Sequence, residues 1–231
     1  MTKSQLEKMM GIKRRAISND EKMERRNDIL DAAAELLAGD DYHDISIARI
    51  ARKAGLAKGT IFLYFKTKEE LFLQLQSREY KSWFEDVNKR LHTLARQKKE
   101  CGTDDFVENI MAAISSHPLM TRLTPILHII LERNVDYKTA LEFKRFLLTE
   151  IQATGRLIER CLPFPQKNDG ARLLLHLQVL LIGLIQLSRP SPSVKQVIEK
   201  EEMEVFQLNF DEKLSEMLVL LINGIKTDNK K

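Results

Sequence analysis

Apolar residues recur every three or four positions along most of the chain, which is the spacing of amphipathic helices. One such stripe lies near the beginning of the second third of the chain, and another lies near the end of the chain. The first comprises Leu71, Leu75, Tyr80, Phe84, Val87, Leu91 and Leu94, and the second Leu214, Met217, Leu218, Leu221, Ile222 and Ile225. No long segment alternates apolar and polar residues as a strand does, so the pattern predicts an all-α protein.

Capping signals predict where the N-terminal helices begin. Ser18 and Thr67 are each followed three residues later by a glutamate, which is the arrangement of a capping box. The first box predicts a helix that starts at Ser18 and ends near Ala38, and the second predicts a long helix from Lys68. Residues 1–17 carry five basic side chains and one acidic one, so we expect a flexible basic arm. It can contact DNA or remain a solvated tail.

The residues between these two helices predict a helix, a tight turn and a short second helix. Ser46 suits an N-cap, Gly55 suits a left-handed helix end, and Lys58 opens the second helix. Leu56 lies in the turn and is expected to fill the core. From Ile45 to Lys68 there are six basic residues and no acidic one, whereas the net charge of the whole chain is only +4. A compact, basic helix-turn-helix is typical of nucleic-acid binding.

The first turn of the second helix has the chemistry needed to enter a major groove. Lys58 can donate to guanine or phosphate, Gly59 lets the backbone approach closely, and Thr60 offers a hydroxyl and a methyl group. Ser46 and Lys68 lie at helix starts, where hydroxyl, amide and ammonium groups meet phosphates.

The run from Ile47 to Leu71, IxxIAxxAGLxKGTIFxYFxxKEEL, resembles the DNA-binding domain of the tetracycline-repressor (TetR) family over about residues 20–72. The resemblance implies a homodimeric transcriptional regulator, most often a repressor of a palindromic operator, whose reading heads move apart when an effector binds. It also implies which positions touch double-stranded DNA: Ser46, Lys58, Gly59, Thr60, Phe62, Tyr64 and Lys68.

Two positions depart from the family pattern. Ala57 stands where the family usually has Ser or Thr, and Phe62 stands where it usually has Tyr. Each change removes one hydrogen bond to phosphate, of order 1 kcal/mol. The reading head is therefore expected at residues 18–70, with fewer phosphate contacts than its relatives make.

Residues 71–231 are predicted to form a helical regulatory domain. The run from Leu173 to Leu187 is apolar almost all round, and with the last stripe it suits a four-helix bundle across a two-fold axis. We therefore expect a homodimer through helices at about 170–187 and 211–225, although both helices can also fill the monomer's own core. The run is too short and too polar for a membrane span, so no membrane partner is expected.

A helical regulatory domain is expected to enclose an apolar pocket for a small, hydrophobic or amphipathic effector. Large and polar side chains in the helical stripes are the candidates for its lining, although ordinary core packing is the better expectation for any single one of them. For His176, a lone histidine among leucines, we expect a satisfied core residue. The candidates are Trp83, Phe84, His128, Phe143, Phe146, Leu147 and His176.

Other classes of function lack support in the sequence. Cys101 and Cys161 are far apart and belong to no metal-binding motif, so we expect neither a zinc site nor a disulfide framework, and a reducing cytoplasm. The sequence has no nucleophile motif and no phosphate-binding loop, which argues against an enzyme and against a cofactor. The alternative to a ligand-responsive regulator is a DNA-binding scaffold controlled by a protein partner or by its abundance.

Overall fold

The computed structural model describes residues 3–97, 101–163 and 166–229, apart from the side chains of residues 3–19 and 97. Within these ranges the fold is all-α, as predicted, and contains no strand. The helices are α1 (Lys3–Gly39), α2 (Ile47–Lys53), α3 (Lys58–Ile61), α4 (Lys68–Gln97), α5 (Thr103–Ser115), α6 (Pro118–Ile126), α7 (Tyr137–Cys161), α8 (Asp169–Leu187), α9 (Pro192–Lys200) and α10 (Phe210–Asp228).

The chain divides into two compact units, residues 1–75 and 76–231. The division falls within α4, between Leu75 and Gln76, whereas the sequence placed the domain boundary at 70/71. The apolar stripe of α4 is buried on both sides of this point, from Leu71 to Leu94. One continuous helix therefore supplies core residues to both units.

The first helix begins earlier than its capping signal predicts. α1 runs without a break from Lys3 to Gly39, so the predicted start at Ser18 was wrong. Residues 3–17 contain three Lys, two Arg and two Met residues and no proline, so helix propensity carries the helix through the potential cap in spite of Gly11. The flexible arm expected over residues 1–17 is thus helical in its backbone from Lys3, and its DNA contact stays a prediction.

Unit 1 has a core made by three helices against the start of α4. α1 contributes Ile29 and Ala33, which are fully buried. Ile50 of α2, Ile61 of α3 and Leu71 of α4 are buried just as completely. This shared core holds the turn between α2 and α3 at the surface of the unit.

In unit 2, α8 packs against α6, α7 and α10. The contact with α7 is a backbone contact at Gly155 and Gly170, where a Cβ built on Gly170 would lie 2.1 Å from the carbonyl oxygen of Gly155. Only glycine fits at such a crossing. The sequence pattern identified the two helices but not this requirement.

α8 has its N-cap one residue before Asp169. Asn168 takes that position in a left-handed conformation, with φ of 75°, and Asp169 is the first helical residue. The buried Asp169 carboxylate accepts hydrogen bonds from Gln166 N at 2.8 Å and Asn229 Nδ2 at 2.6 Å. Burial alone would raise the pKa of Asp169, but these bonds and the charge of Arg172 outweigh it and lower the pKa.

Pro125 lies in α6, and the helix changes character just after it. A π-helical turn spans Leu127–Leu131, and a 3-10 turn, Glu132–Asn134, follows it. Proline has no N–H to donate and its ring clashes with the preceding turn, which explains the disturbed hydrogen-bond ladder.

Candidate functional site

The turn between α2 and α3 has the geometry that the sequence predicts. Ser46 caps α2 by accepting a hydrogen bond from Arg49 N at 3.3 Å. Gly55 has φ of 67°, the left-handed conformation that ends the helix. Leu56 N donates to Ala51 O at 2.8 Å, but the Leu56 side chain is only half-buried and does not fill the core as expected.

The tip of the second helix is open to solvent. Lys58 and Gly59 are exposed, and a Cβ built on Gly59 would meet no atom within 4 Å. Ile61, two residues further on, is completely buried and fixes the other side of α3. Lys58-Gly59-Thr60 therefore lies at the surface, is anchored by the buried Ile61, and has no protein atom in front of its glycine.

Apolar side chains lie beside this tip. Phe62 is 46% exposed and Leu63 is 76% exposed. Tyr64 is half-buried, and its carbonyl oxygen accepts a hydrogen bond from Arg26 Nη1 at 3.4 Å. The exposed ring of Phe62 can pack on a sugar, although it has no hydroxyl for a phosphate.

Of the six basic residues between Ile45 and Lys68, two form ion pairs within unit 1. Arg49 Nη2 lies 2.7 Å from Asp40 Oδ2, and Lys53 Nζ lies 2.6 Å from Glu35 Oε2. By contrast, the structure records no ion pair or hydrogen bond of the Arg52 and Lys58 side chains with any of the side chains it describes. These two exposed cations are the best placed for an external anion.

Lys68, predicted to hold phosphate, also has a structural role. Its ammonium group lies 3.8 Å from the centre of the Tyr42 ring and donates to the Tyr42 carbonyl oxygen. Burial lowers the pKa of Lys68, and the nearby Glu69 and Asp44 carboxylates oppose that shift. An ammonium group has three N–H donors, so those not used for Tyr42 remain for phosphate. Its DNA contact stays a prediction.

Sequence reasoning missed the partners of these cations. Tyr42 receives Lys68 and also donates its hydroxyl to Glu69 Oε1 at 3.1 Å. Arg26 of α1 stacks over the Phe65 ring at 4.6 Å. Both contacts join residues more than 25 positions apart. No local pattern signals them, because cation–π pairs depend on how the helices pack.

Unit 2 encloses an apolar cavity with about 30 Å³ of free volume. Three of the seven candidate effector residues, Trp83, Phe84 and Leu147, line it. The others do not: Phe143 is buried elsewhere, and Phe146 is half-buried. The full lining is Tyr80, Trp83, Phe84, Met120, Leu147, Ile151, Leu174, Leu177, Gln178 and Leu181.

The two candidate histidines lie at the surface. His128 contacts Glu132 Oε2 through Nδ1 and Gln178 Nε2 through its own Nε2, each at 3.0 Å. His176 is exposed, so the expectation of a core histidine was wrong. The reason is that α8 is apolar on a second, outward face, where His176 lies among surface leucines.

That outward face forms an open groove between α8 and α10. Leu175, Val179 and Leu187 of α8 are more than half exposed, and so is Leu220 of α10. By length and composition alone α8 is apolar enough to cross a membrane. The groove is lined by Arg172, His176, Leu180, Met217, Leu220, Leu221, Gly224, Ile225 and Asp228.

No group of histidine, cysteine and carboxylate side chains that could hold a metal ion occurs in the part of the chain that the structure describes. Cys101 and Cys161 are both buried free thiols. Burial raises the pKa of the Cys161 thiol, and a hydrogen bond with Cys101 opposes that shift. The two cysteines, sixty positions apart in sequence, thus meet in the folded unit.

A helix-turn-helix head followed by a separate all-helical unit defines the class of bacterial transcriptional regulators with an N-terminal reading domain. Residues 29–75 match the family model described as bacterial regulatory proteins, tetR family. Residues 77–229 match the model described as tetracyclin repressor-like, C-terminal domain. The chain belongs to the tetR family.

Curated relatives match about a third of the chain. The chain is 36% identical over 72 residues to the fatty acid metabolism regulator protein of Bacillus subtilis (strain 168), which is 31% of this chain and 37% of that protein. It is 39% identical over 77 residues to the HTH-type transcriptional regulator BetI of Escherichia coli (strain K12 / DH10B), 33% of this chain and 39% of BetI. The matched region thus spans well under half of either relative.

Solved structures resemble the whole fold. A putative TetR-family transcriptional regulator from Mesorhizobium loti superposes with a TM-score of 0.55 at 16% identity, over 88% of this chain and 95% of that one. The TetR-family regulator PfmR from Thermus thermophilus gives a TM-score of 0.53 at 15% identity, over 84% of this chain and 97% of that one. At such identities the likeness concerns the fold alone.

Proposed function

We propose that the protein is a ligand-responsive transcriptional repressor that binds a palindromic operator as a homodimer. The observation that carries this proposal is the tip of α3. Gly59 faces empty space between Lys58 and Thr60, and the buried Ile61 holds the helix from behind. A helix tip without bulk is what close approach to base edges in the major groove requires.

The charges around the tip support binding to the DNA backbone. Arg52 and Lys58 are exposed cations, and Lys68 has ammonium donors to spare. Arg49 and Lys53, which are paired with carboxylates, are expected to contribute less. Each phosphate that these groups neutralise releases counterions, so the affinity for DNA should fall steeply with salt.

The outward face of α8 and α10 supports a homodimer. Exposed leucine and valine side chains form an apolar strip along both helices, with Leu220 62% exposed. A second copy of the same face would cover them in a four-helix bundle related by a two-fold axis. The opposite side of α8 packs against α6, α7 and α10 of its own unit, so the outward face is the part of α8 that is left for a second protomer. A DNA-binding role places the protein in the cytoplasm.

The enclosed cavity of unit 2 supports a small-molecule effector. Its lining is apolar, with Tyr80 and Gln178 as the polar exceptions. The Bacillus subtilis relative is named for fatty acid metabolism, but its similarity is confined to 72 residues, about the size of the reading head. We therefore infer the effector from the cavity rather than from that name.

The size of the cavity bears on how an effector would act. About 30 Å³ of free volume is far below the roughly 300–1,000 Å³ of ordinary ligand pockets. An effector can enter only if the lining side chains or helices move, and a ligand that prefers the moved state shifts the population towards it. Moving most of the population requires a preference of about 5.5 kcal/mol.

The same small volume favours the second candidate function, a DNA-binding scaffold without a small-molecule effector. In that case the cavity is simply a packing defect of the core, and a protein partner or cellular abundance would set occupancy of the operator. The two functions differ in one measurable property, which is whether any small molecule changes the affinity for the operator.

The experiment selects bound fragments from genomic DNA with the purified full-length protein at low salt. Enriched fragments are then measured by fluorescence anisotropy at several salt concentrations. We expect a palindromic site, bound by one dimer, with an affinity that falls as salt rises. Enrichment of no palindrome at any salt concentration would overturn the proposal.

A further inference from the structure

Trp83 has a hydrogen-bond donor with no partner. Its side chain lines the cavity of unit 2 and is only 4% exposed. Among the residues that the structure describes, no group accepts a hydrogen bond from its Nε1. A buried indole N–H usually finds an acceptor, and leaving one unpaired in an apolar site is costly.

The polar neighbours in the cavity wall are already engaged. The Tyr80 hydroxyl lies 3.4 Å from Thr124 Oγ1, and Thr124 donates its own hydrogen to the Met120 carbonyl at 2.8 Å. Gln178 Nε2 lies 3.0 Å from His128 Nε2 and donates to it. The remaining lining residues are apolar, and no oxygen atom of the wall accepts a hydrogen bond from the indole N–H in the structure.

A second unpartnered atom lies elsewhere on α4. Gln76 is completely buried and its Nε2 donates to Thr124 Oγ1 at 3.4 Å, while its Oε1 has no partner among the described residues. Gln76 does not line the cavity. Of the two residues with an unpartnered atom, Trp83 is the one that lines the cavity, and what its N–H lacks is an acceptor.

The residues that line the cavity favour an uncharged ligand over a charged one. None of the ten residues that line the cavity is a lysine, arginine, aspartate, glutamate or histidine. A charged ligand would lose its hydration with no opposite charge to replace it. The ring faces of Tyr80, Trp83 and Phe84 could attract a cation, but a cation has no acceptor for the Trp83 N–H.

We propose that this cavity binds an uncharged, mainly apolar ligand that carries one hydrogen-bond acceptor, such as a ketone, ester or hydroxyl oxygen, placed against Trp83 Nε1. The assignment deepens the proposed function, since it takes the cavity to be the effector site. The acceptor of the ligand would receive the hydrogen bond of the Trp83 N–H. The apolar remainder of the ligand would contact the apolar lining without breaking a hydrogen bond of the protein.

The test uses four compounds of one chain length: octan-2-one, octane, octanoate and octyltrimethylammonium. Trp83 is the only tryptophan of the chain, so its emission reports on the cavity in the full-length protein. We expect octan-2-one to bind about tenfold more tightly than octane, the equivalent of one hydrogen bond of about 1.4 kcal/mol. It should also shift the emission to longer wavelength, while octanoate and octyltrimethylammonium bind more weakly than octan-2-one.

Two variants separate the N–H from the shape of the cavity. Trp83→Phe keeps an aromatic ring and removes the donor, so thermal shifts should show octan-2-one and octane binding alike. Tyr80→Phe removes a different polar group of the same wall and should keep the preference for octan-2-one. Circular dichroism establishes that both variants fold.

Three results would overturn the assignment: tighter binding of either charged compound, equal binding of octane and octan-2-one to the unchanged protein, or binding of none of the four. Selection of operator DNA distinguishes this failure from failure of the proposed function. A protein that binds a palindrome but none of the compounds retains its proposed DNA-binding role. A protein that binds octan-2-one but no palindrome keeps the ligand site and loses that role.

Discussion

Replacing Gly59 by alanine should separate folding from DNA binding. Within the protein the new Cβ would meet no atom within 4 Å, and the φ of Gly59 lies outside the left-handed region. Alanine is better than glycine in a helix by about 0.5–1 kcal/mol, so the variant should unfold at an equal or slightly higher temperature.

On DNA the same methyl group should be harmful. If α3 enters the major groove with its tip, the space in front of Gly59 is taken by the DNA backbone or by base edges. Pushing the tip away by the width of a methyl group lengthens the hydrogen bonds of Lys58 and Thr60. Loss of contacts worth about 1–3 kcal/mol corresponds to operator binding that is weaker by about ten- to a hundredfold.

The assay is fluorescence anisotropy with the selected operator, accompanied by thermal unfolding of the free protein. Gly39→Ala is the matched control, because a Cβ at Gly39 also meets no atom within 4 Å and Gly39 lies at the end of α1. The control should bind DNA as the unchanged protein does. Undiminished operator binding by the stable Gly59→Ala variant would refute the assignment of α3 as the reading helix.

Four further substitutions test other parts of the structure. Lys58→Ala should weaken binding to all DNA and lower by about one the slope of log affinity against log salt concentration, without changing the melting temperature. Lys68→Ala should have the same effects on DNA binding and should also lower the melting temperature, because the Lys68 ammonium group contacts Tyr42. Leu220→Glu should give a monomer by light scattering, and an intact dimer would contradict the proposed interface. Gly170→Ala should destabilise unit 2 by about 1–3 kcal/mol in urea unfolding, and an unchanged midpoint would show that α7 and α8 can separate.

The reading head was predictable because its signals are local. The cap at Ser46 and the left-handed turn at Gly55 each depend on the residue itself and on neighbours within one helical turn. Both were confirmed. Hydrogen bonds between residues close in sequence depend on local residue types, so they can be predicted without a structure.

The distribution of charge over the head was not predictable in the same way. Six basic residues without an acidic one suggested a uniformly basic surface. In the structure Arg49 is paired with Asp40, and Lys53 with Glu35, from outside that stretch. Fewer cations are therefore available to bind phosphate than the composition of the stretch implies. Arg52 and Lys58, at the turn, provide a larger share of the available positive charge.

The residues of unit 2 show a similar limit to what the sequence pattern can predict. Trp83, Phe84 and Leu147 line one cavity, since large apolar residues at helical spacing converge on the core, and their contact with an effector stays a prediction. His176 lies at the surface because α8 has two apolar faces, and periodicity does not tell which of them is covered within the same chain. Only the packing of α8 on α6, α7 and α10 decides that His176 faces outward.

Both faces of α8 have a proposed role, which gives a direct route from ligand to dimer. Leu174, Leu177 and Leu181 line the cavity, while His176 and Leu180 line the groove. A ligand larger than the free volume of about 30 Å³ must move the cavity wall, and any shift of α8 also changes the surface offered to the second protomer.

Binding at the two sites must then be coupled, and such coupling is reciprocal. If octan-2-one binds, it should change the dimer dissociation constant by the same factor by which dimerisation changes its own affinity. Analytical ultracentrifugation with and without the ligand measures the first factor, and titration of the Leu220→Glu monomer against the dimer measures the second. Ligand binding that is equal in monomer and dimer would show that α8 does not carry the signal. The change in wall geometry would then have to reach the reading head through α4, the helix that supplies residues to both units.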